Sequence, residues 1–320
     1  MAQKVCPASQ KFVARRTSPS CWAGSVSDQF MVGRVPSGGY VTCIVLACVT
    51  KELRAASREP PPPHLKRAPN AHPDVLSTNV HFMASTLPGP FTCRVDIIRS
   101  GKTTSTVQAS IFQKDKETIR CLCTCGNLQA AEASGPNLQI NTSLPELPPL
   151  QSCVRLDAGD NTPQSIRSRV ILSVPEAAAR QYKNCRAVDS ATGLFDAEML
   201  RTRTDAVSKR MSSEYAGYCH FADKSSASLS DAPLFLDASV PPILGAYVTG
   251  WVPSINWSVQ FRAHPAPGGP LRFHFQTSAV VGGFLEEDGA LWDSRGTLVA
   301  LSRQLAMVGV SQTNKHQSKI

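Results

Sequence analysis

The feature that most constrains this chain is that it repeats itself. Val80-His-Phe-Met-Ala84 and Pro88-Gly89 return 179 residues later as Val259-Gln-Phe-Arg-Ala263 and Pro267-Gly268. The same offset carries Thr118 onto Thr297 and Leu122 onto Leu301, so segments 111–125 and 290–304 correspond. Two separate stretches sharing one offset imply a duplicated unit that folds twice. At 320 residues, each copy is long enough to bury a core of its own.

Both copies run in the same order. A helix-like apolar segment comes first, Gly39–Thr50 in one copy and Ser228–Ser239 in the other. Alternating strands follow, for example Thr92–Ile98 and Arg272–Thr277. The first helix opens at Gly38-Gly39, and the second is stopped by Pro241-Pro242, which cannot continue a helix. One helix laid against an antiparallel sheet, twice, is an α+β plan, and two such units can pair into a larger sheet. The expected division is 20–130 for the first unit, 131–165 for a linker, 166–312 for the second unit and 313–320 for a polar tail. Glu59–Pro63 reads as a long loop inside the first unit, and 185–215 as a polar insertion in the second.

Two tempting motifs dissolve on inspection. Gly101-Lys-Thr103 looks like the end of a phosphate-binding loop, but the upstream glycine of that motif is replaced by Asp96, a carboxylate that would repel the ligand. The run after Lys102 is β-branched and alternating, so a tight turn entering a strand is expected instead. Cys121, Cys123 and Cys125 form Cys-x-Cys-x-Cys, which on a strand lines one face; zinc sites more often use Cys-x-x-Cys pairs. No metal and no cofactor is expected. Eleven cysteines, with no secretory pattern at the start, read as reduced thiols.

The net charge of +9 admits an anionic partner. Basic residues are scattered, with no nucleic-acid-binding module among them, so a basic field that attracts a small polyanionic ligand fits as well as nucleic acid does, and no nucleic-acid partner is expected. The longest apolar run, Cys43–Val49, is far below the roughly 18 residues of a membrane span. Ser318-Lys319-Ile320 is one conservative change from the Ser-Lys-Leu peroxisomal address. Peroxisomal import through a receptor for that tripeptide is therefore expected, with cytoplasm or mitochondrion as alternatives. Deleting Ser318–Ile320 should turn punctate fluorescence of a tagged chain diffuse; an unchanged pattern would refute the address.

Val35-Pro-Ser-Gly-Gly-Tyr40, His72-Pro-Asp-Val-Leu-Ser77 with Val80-His-Phe82, and the turn and strand Arg99–Val107 resemble the first half of TesB-type acyl-CoA thioesterases. Gly250-Trp-Val-Pro-Ser-Ile255, Val259–Ala263, Glu286-Glu-Asp-Gly289, Leu291-Trp-Asp293 and Ser302-Arg-Gln304 resemble the second half. The resemblance runs from about Ser25 to Val310 and is poor over 131–215. It implies a double hotdog, two antiparallel sheets each wrapped around a central helix, and hydrolysis of an acyl-CoA substrate in lipid metabolism. It also implies an Asp, a Thr or Ser, and a Gln as catalytic groups, which fall on Asp237, Ser254 and Gln304. The chain departs by carrying Ser for the commoner Thr, and Asn256 where many relatives carry an acid.

These residue types suit the chemistry. An ionised Asp can accept a proton from water, while Ser and Gln can hold that water by donating and accepting. At the repeat offset Ser254 falls on Val75 and Gln304 on Cys125, and 39–50 contains no acid, so the second unit alone is expected to be active. Two alternatives stand beside hydrolysis: a non-catalytic acyl-CoA-binding hotdog protein, and a hotdog hydratase or dehydratase, for which no His flanks Asp237 or Ser254. A serine hydrolase is disfavoured because no Gly-x-Ser-x-Gly occurs. Hotdog units commonly pair, so a homo-oligomer is a further expectation.

Overall fold

The alternation seen in the sequence builds long strands that hydrogen-bond into one sheet. The structure, a computed structural model, describes residues 13–60, 63–65, 72–134, 143–155, 166, 169–176, 179, 214–238 and 253–307. In the first half lie β1 (Ala14–Ser18), β2 (Cys21–Val26), β3 (Met31–Val32), β4 (Val35–Pro36), β5 (Asp74–Phe82), β6 (Gly89–Ser100), β7 (Ser105–Gln113) and β8 (Lys116–Gly126). The second half adds β9 (Val154–Arg155), β10 (Val170–Val174), β11 (Glu214–Phe221), β12 (Ser254–Phe261), β13 (Leu271–Val281), β14 (Phe284–Trp292) and β15 (Leu298–Met307). Three α-helices are described: α1 (Gly38–Ala56), α2 (Leu128–Ser134) and α3 (Ala232–Ala238).

The strand order is β1-β2-β6-β7-β8-β5-β12-β15-β14-β13-β11-β10-β9, with β3 and β4 forming a separate small ribbon. Outward from the middle, β5, β8, β7 and β6 are mirrored by β12, β15, β14 and β13. At the joint Asn79 pairs with Ser258, two residues separated by the repeat offset itself, so a pseudo-two-fold axis passes between them. Both joint strands also break register at the same repeat position, Val75/Ser77 in β5 and Ser254/Asn256 in β12. Where the resemblance implies two sheets, thirteen of the described strands form one, because the facing edges of the two halves pair through β5 and β12. Neither is left as an open edge.

Helix α1 runs six residues beyond the expected Thr50, through Lys-Glu-Leu-Arg-Ala-Ala, all good helix formers. It is buried over most of its length, so its apolar residues are not confined to one stripe. Its extension adds an acid, Glu52, at the end far from Gly38. That carboxylate is buried and accepts from Trp22 Nε1 at 2.7 Å and Arg16 Nη2 at 2.9 Å. In the second half, Ser228 and Asp231 cap a short 3-10 turn, Leu229–Asp231, which leads into α3. The Pro241-Pro242 stop lies outside the described residues.

The Gly-Lys-Thr stretch is the expected turn: Gly101 N–H donates to Thr104 O at 2.9 Å between β6 and β7. Cys121, Cys123 and Cys125 all face the core from β8. Burial pushes the Cys123 thiol up to about 11, so it holds its proton and is a poor nucleophile. Among the described residues no helix is long and apolar enough to cross a membrane.

Candidate active site

Asp237 lies near the end of α3, and the start of α1 packs directly on it. Gly39 makes the approach feasible: a Cβ there would sit 2.4 Å from Asp237 Cβ and 2.4 Å from Pro233 O. Ser37, the N-cap of α1, accepts from Tyr40 N–H at 3.3 Å and donates its hydroxyl to Asp237 Oδ2. The carboxylate thus rests at the positive end of a 19-residue helix that belongs to the other half of the chain. Ser37 is a site residue that sequence reasoning missed.

Ser254 opens β12 beside the bulge, and Gln304 sits on neighbouring β15, opposite Trp257. Gln304 Nε2 donates to Ser254 Oγ at 2.5 Å, so the structure brings these two together. In the first half, Thr78 stands where Trp257 does and pairs with Cys123. The counterpart of Gln304 is therefore Cys123, not the Cys125 that a constant offset gives. The Asp293–Thr297 turn of the second half is longer than the Lys114-Asp115 turn of the first, which shifts the last strand. Asn256 donates to Val80 O at 3.1 Å across the joint, a linking role.

A fourth group was not foreseen. Glu287 on β14 is the cross-strand neighbour of Gln304 and is only 3% exposed. Burial, then the charges of Asp237 and Asp288, push its carboxyl well above the ordinary carboxylate range. Glu287 thus stands beside Gln304 and within the field of Asp237. The large concave surface nearby, about 620 Å³ and lined by Asn256, His274, Asp288 and Arg303, includes neither Asp237 nor Ser254.

A raised acid has a consequence for stability. The unfolded chain loses this proton near the usual Glu value, about 4.3, while the folded chain keeps it to higher pH. Stability should then fall as pH rises above that value, by up to about 1.4 kcal/mol per pH unit, until the folded group ionises. Glu287→Gln removes this slope. Denaturant melts of both proteins at pH 5 and pH 8 should diverge, with the variant gaining relative to the parent at pH 8; parallel melts would exclude a buried proton here.

Residues 26–126 match the family model of the acyl-CoA thioesterase N-terminal domain, and residues 173–308 match that of the acyl-CoA thioesterase C-terminal domain. No curated protein matches in sequence. A structure from Thermobifida fusca named as a thioesterase II superposes with a TM-score of 0.71 at 23% identity, covering 94% of this chain and 97% of its own. A hot dog fold protein from Alicyclobacillus acidocaldarius gives 0.70 at 15%, covering 96% and 100%. An acyl-CoA thioesterase II from Mycobacterium marinum gives 0.61 at 14%, covering 94% and 98%. These similarities show the hot dog fold. With matches to both thioesterase domains in order along its length, the chain belongs to the TesB-type acyl-CoA thioesterase family, and it is a thioester hydrolase.

Proposed function

We propose that this protein hydrolyses an acyl-CoA thioester to free acid and CoA, and that Asp237, Ser254 and Gln304 activate the water. The observation that carries this reading is the Gln304–Ser254 hydrogen bond, one strand from Glu287, whose charge environment includes Asp237. Asp237 accepts a proton from water as its oxygen attacks the thioester carbonyl. Ser254 and Gln304 hold that water, one able to accept while the other donates. The carbonyl oxygen becomes an oxyanion and then re-forms its double bond as the C–S bond breaks. The proton passes to the departing thiolate, giving the acid and CoA. Tyr40 N–H is taken by Ser37, but the Gly38 and Gly39 N–H groups at the start of α1 precede the first helical acceptor and, lying beside Asp237, suit the oxyanion.

The architecture fits a double hotdog in which α1 and α3 are the central helices. On this reading the first unit has lost its own site but lends Ser37 to that of the second. The test is release of thiol from an acyl-CoA panel by the purified chain. Binding without release would favour the acyl-CoA-binding alternative.

A further inference from the structure

Buried polar side chains are nearly always hydrogen-bonded, because leaving one unpaired is costly. Among the described residues five buried side-chain polar atoms lack a partner, and three of these lie on one line. Trp257 on β12 pairs in register with Gln304 on β15, Gln304 with Glu287 on β14, and Glu287 with Thr277 on β13. The unpartnered atoms are Trp257 Nε1, Glu287 Oε2 and Thr277 Oγ1, so every member of the row except Gln304 has an unmet hydrogen bond. Scatter over the molecule would be ordinary; alignment with a proposed catalytic residue is not.

The first half supplies the comparison. Its equivalent row is Thr78, Cys123, Val107 and Ile97, all buried. Two of those are aliphatic, and the Cys123 thiol donates to Thr78 Oγ1 at 3.4 Å. The fold therefore accommodates an apolar, satisfied row at this level. The second half instead carries an indole N–H, a carboxyl and a hydroxyl.

We propose that the row Trp257–Gln304–Glu287–Thr277 lines the acyl site and selects acyl groups bearing oxygen at the 3-position and further along the chain over plain hydrocarbon chains. This rests on the hydrolase reading above. The indole and hydroxyl are donors, and a protonated Glu287 is a third, so the complementary ligand offers oxygen acceptors. Neighbouring strands stand about 4.8 Å apart, so Glu287 and Trp257, one strand from Gln304, stand nearest the thioester, while Thr277, two strands away, meets oxygen further along the chain. A hydrocarbon would leave the donors unpaired, and sites built around substrate hydrogen bonds reject analogues lacking them strongly. The groups facing Glu287 are Asp237 from α3, Thr277 from β13 and Gln304 from β15. Glu286 and Asp288 flank it on β14, with Asp288 held by Arg303.

The test compares kcat/KM for decanoyl-CoA with those for 3-hydroxydecanoyl-CoA and 3-oxodecanoyl-CoA. An oxygenated substrate should be preferred by at least ~10²-fold. Glu287→Met should shrink that ratio about tenfold or more, whereas Glu287→Gln, which keeps a donor, should retain most of it. A merely structural role would lower all the rates together and leave the ratio alone. Equal or better cleavage of decanoyl-CoA, or a ratio that Glu287→Met does not move, would overturn the proposal. If no thioester releases thiol, the hydrolase reading fails on its own. Calorimetric binding of the matching non-hydrolysable thioethers then reads the same preference as an affinity ratio, and equal affinities would overturn the selectivity.

Discussion

Asp237→Asn should lower thiol release from acyl-CoA by at least ~10²-fold, and up to ~10⁴-fold, while the protein stays folded. Asn keeps the shape of the side chain, so the close fit against Gly39 is undisturbed. The amide oxygen can still accept from the Ser37 hydroxyl, which holds the group in place. What is lost is the capacity to take a proton from water. Steady-state rates would be read beside a denaturant melt: a normal melt with a collapsed rate supports a base at this position. A variant as active as the parent would remove Asp237 from the mechanism. Asp237→Ala should be at least as slow, because it also empties the space beside the helix start.

The second large effect is expected from a residue that carries no side chain. Gly39→Ala places a methyl 2.4 Å from both Asp237 Cβ and the Pro233 carbonyl oxygen, far inside contact distance. One obstacle is backbone, so α1 and α3 must separate. Overpacking of this kind costs about 1–3 kcal/mol, and displacing the acid by even about 1 Å can cost ~10²-fold in rate. Gly38→Ala is the matched control. Its methyl would meet the Phe82 ring at 3.0 Å, the end of a side chain that can shift, and stays 3.9 Å from Asp237 Oδ1. Alanine also favours a helix over glycine by roughly 0.5–1 kcal/mol, so this neighbour should be nearly neutral in stability. Rates and melting curves measured for the pair should split sharply; matching behaviour would mean the helix contact does not govern the site.

Much of this molecule was legible because a duplication leaves one pattern twice. The repeat offset led to paired units, and the joint Asn79–Ser258 shows that offset in the sheet itself. Strand alternation marked β6 and β13, and the β-branched run after Lys102 marked β7. The register of the last strand was not legible, since it depends on turn length, which a constant offset ignores. Ser37 escaped for another reason. It was visible as part of Pro-Ser-Gly-Gly, but its partner lies 200 residues away, and no local pattern reports such a contact. Glu287 was hidden inside Glu286-Glu-Asp288, which looks like a solvated run of charge. Its parity could have exposed it: Leu285, Glu287, Gly289 and Leu291 alternate onto one face, and that face is buried.

The contact between Ser37 and Asp237 runs in one direction only. In an assembly of two identical subunits every such contact would occur twice, and neither copy could specialise. Covalent fusion lifts that constraint, so one half can discard chemistry while keeping a single obligation to its sibling. Evolutionary drift in the first half should accordingly be broad across its cysteine-lined interior, yet arrested over the three residues from Ser37 to Gly39 that steady the other half's acid.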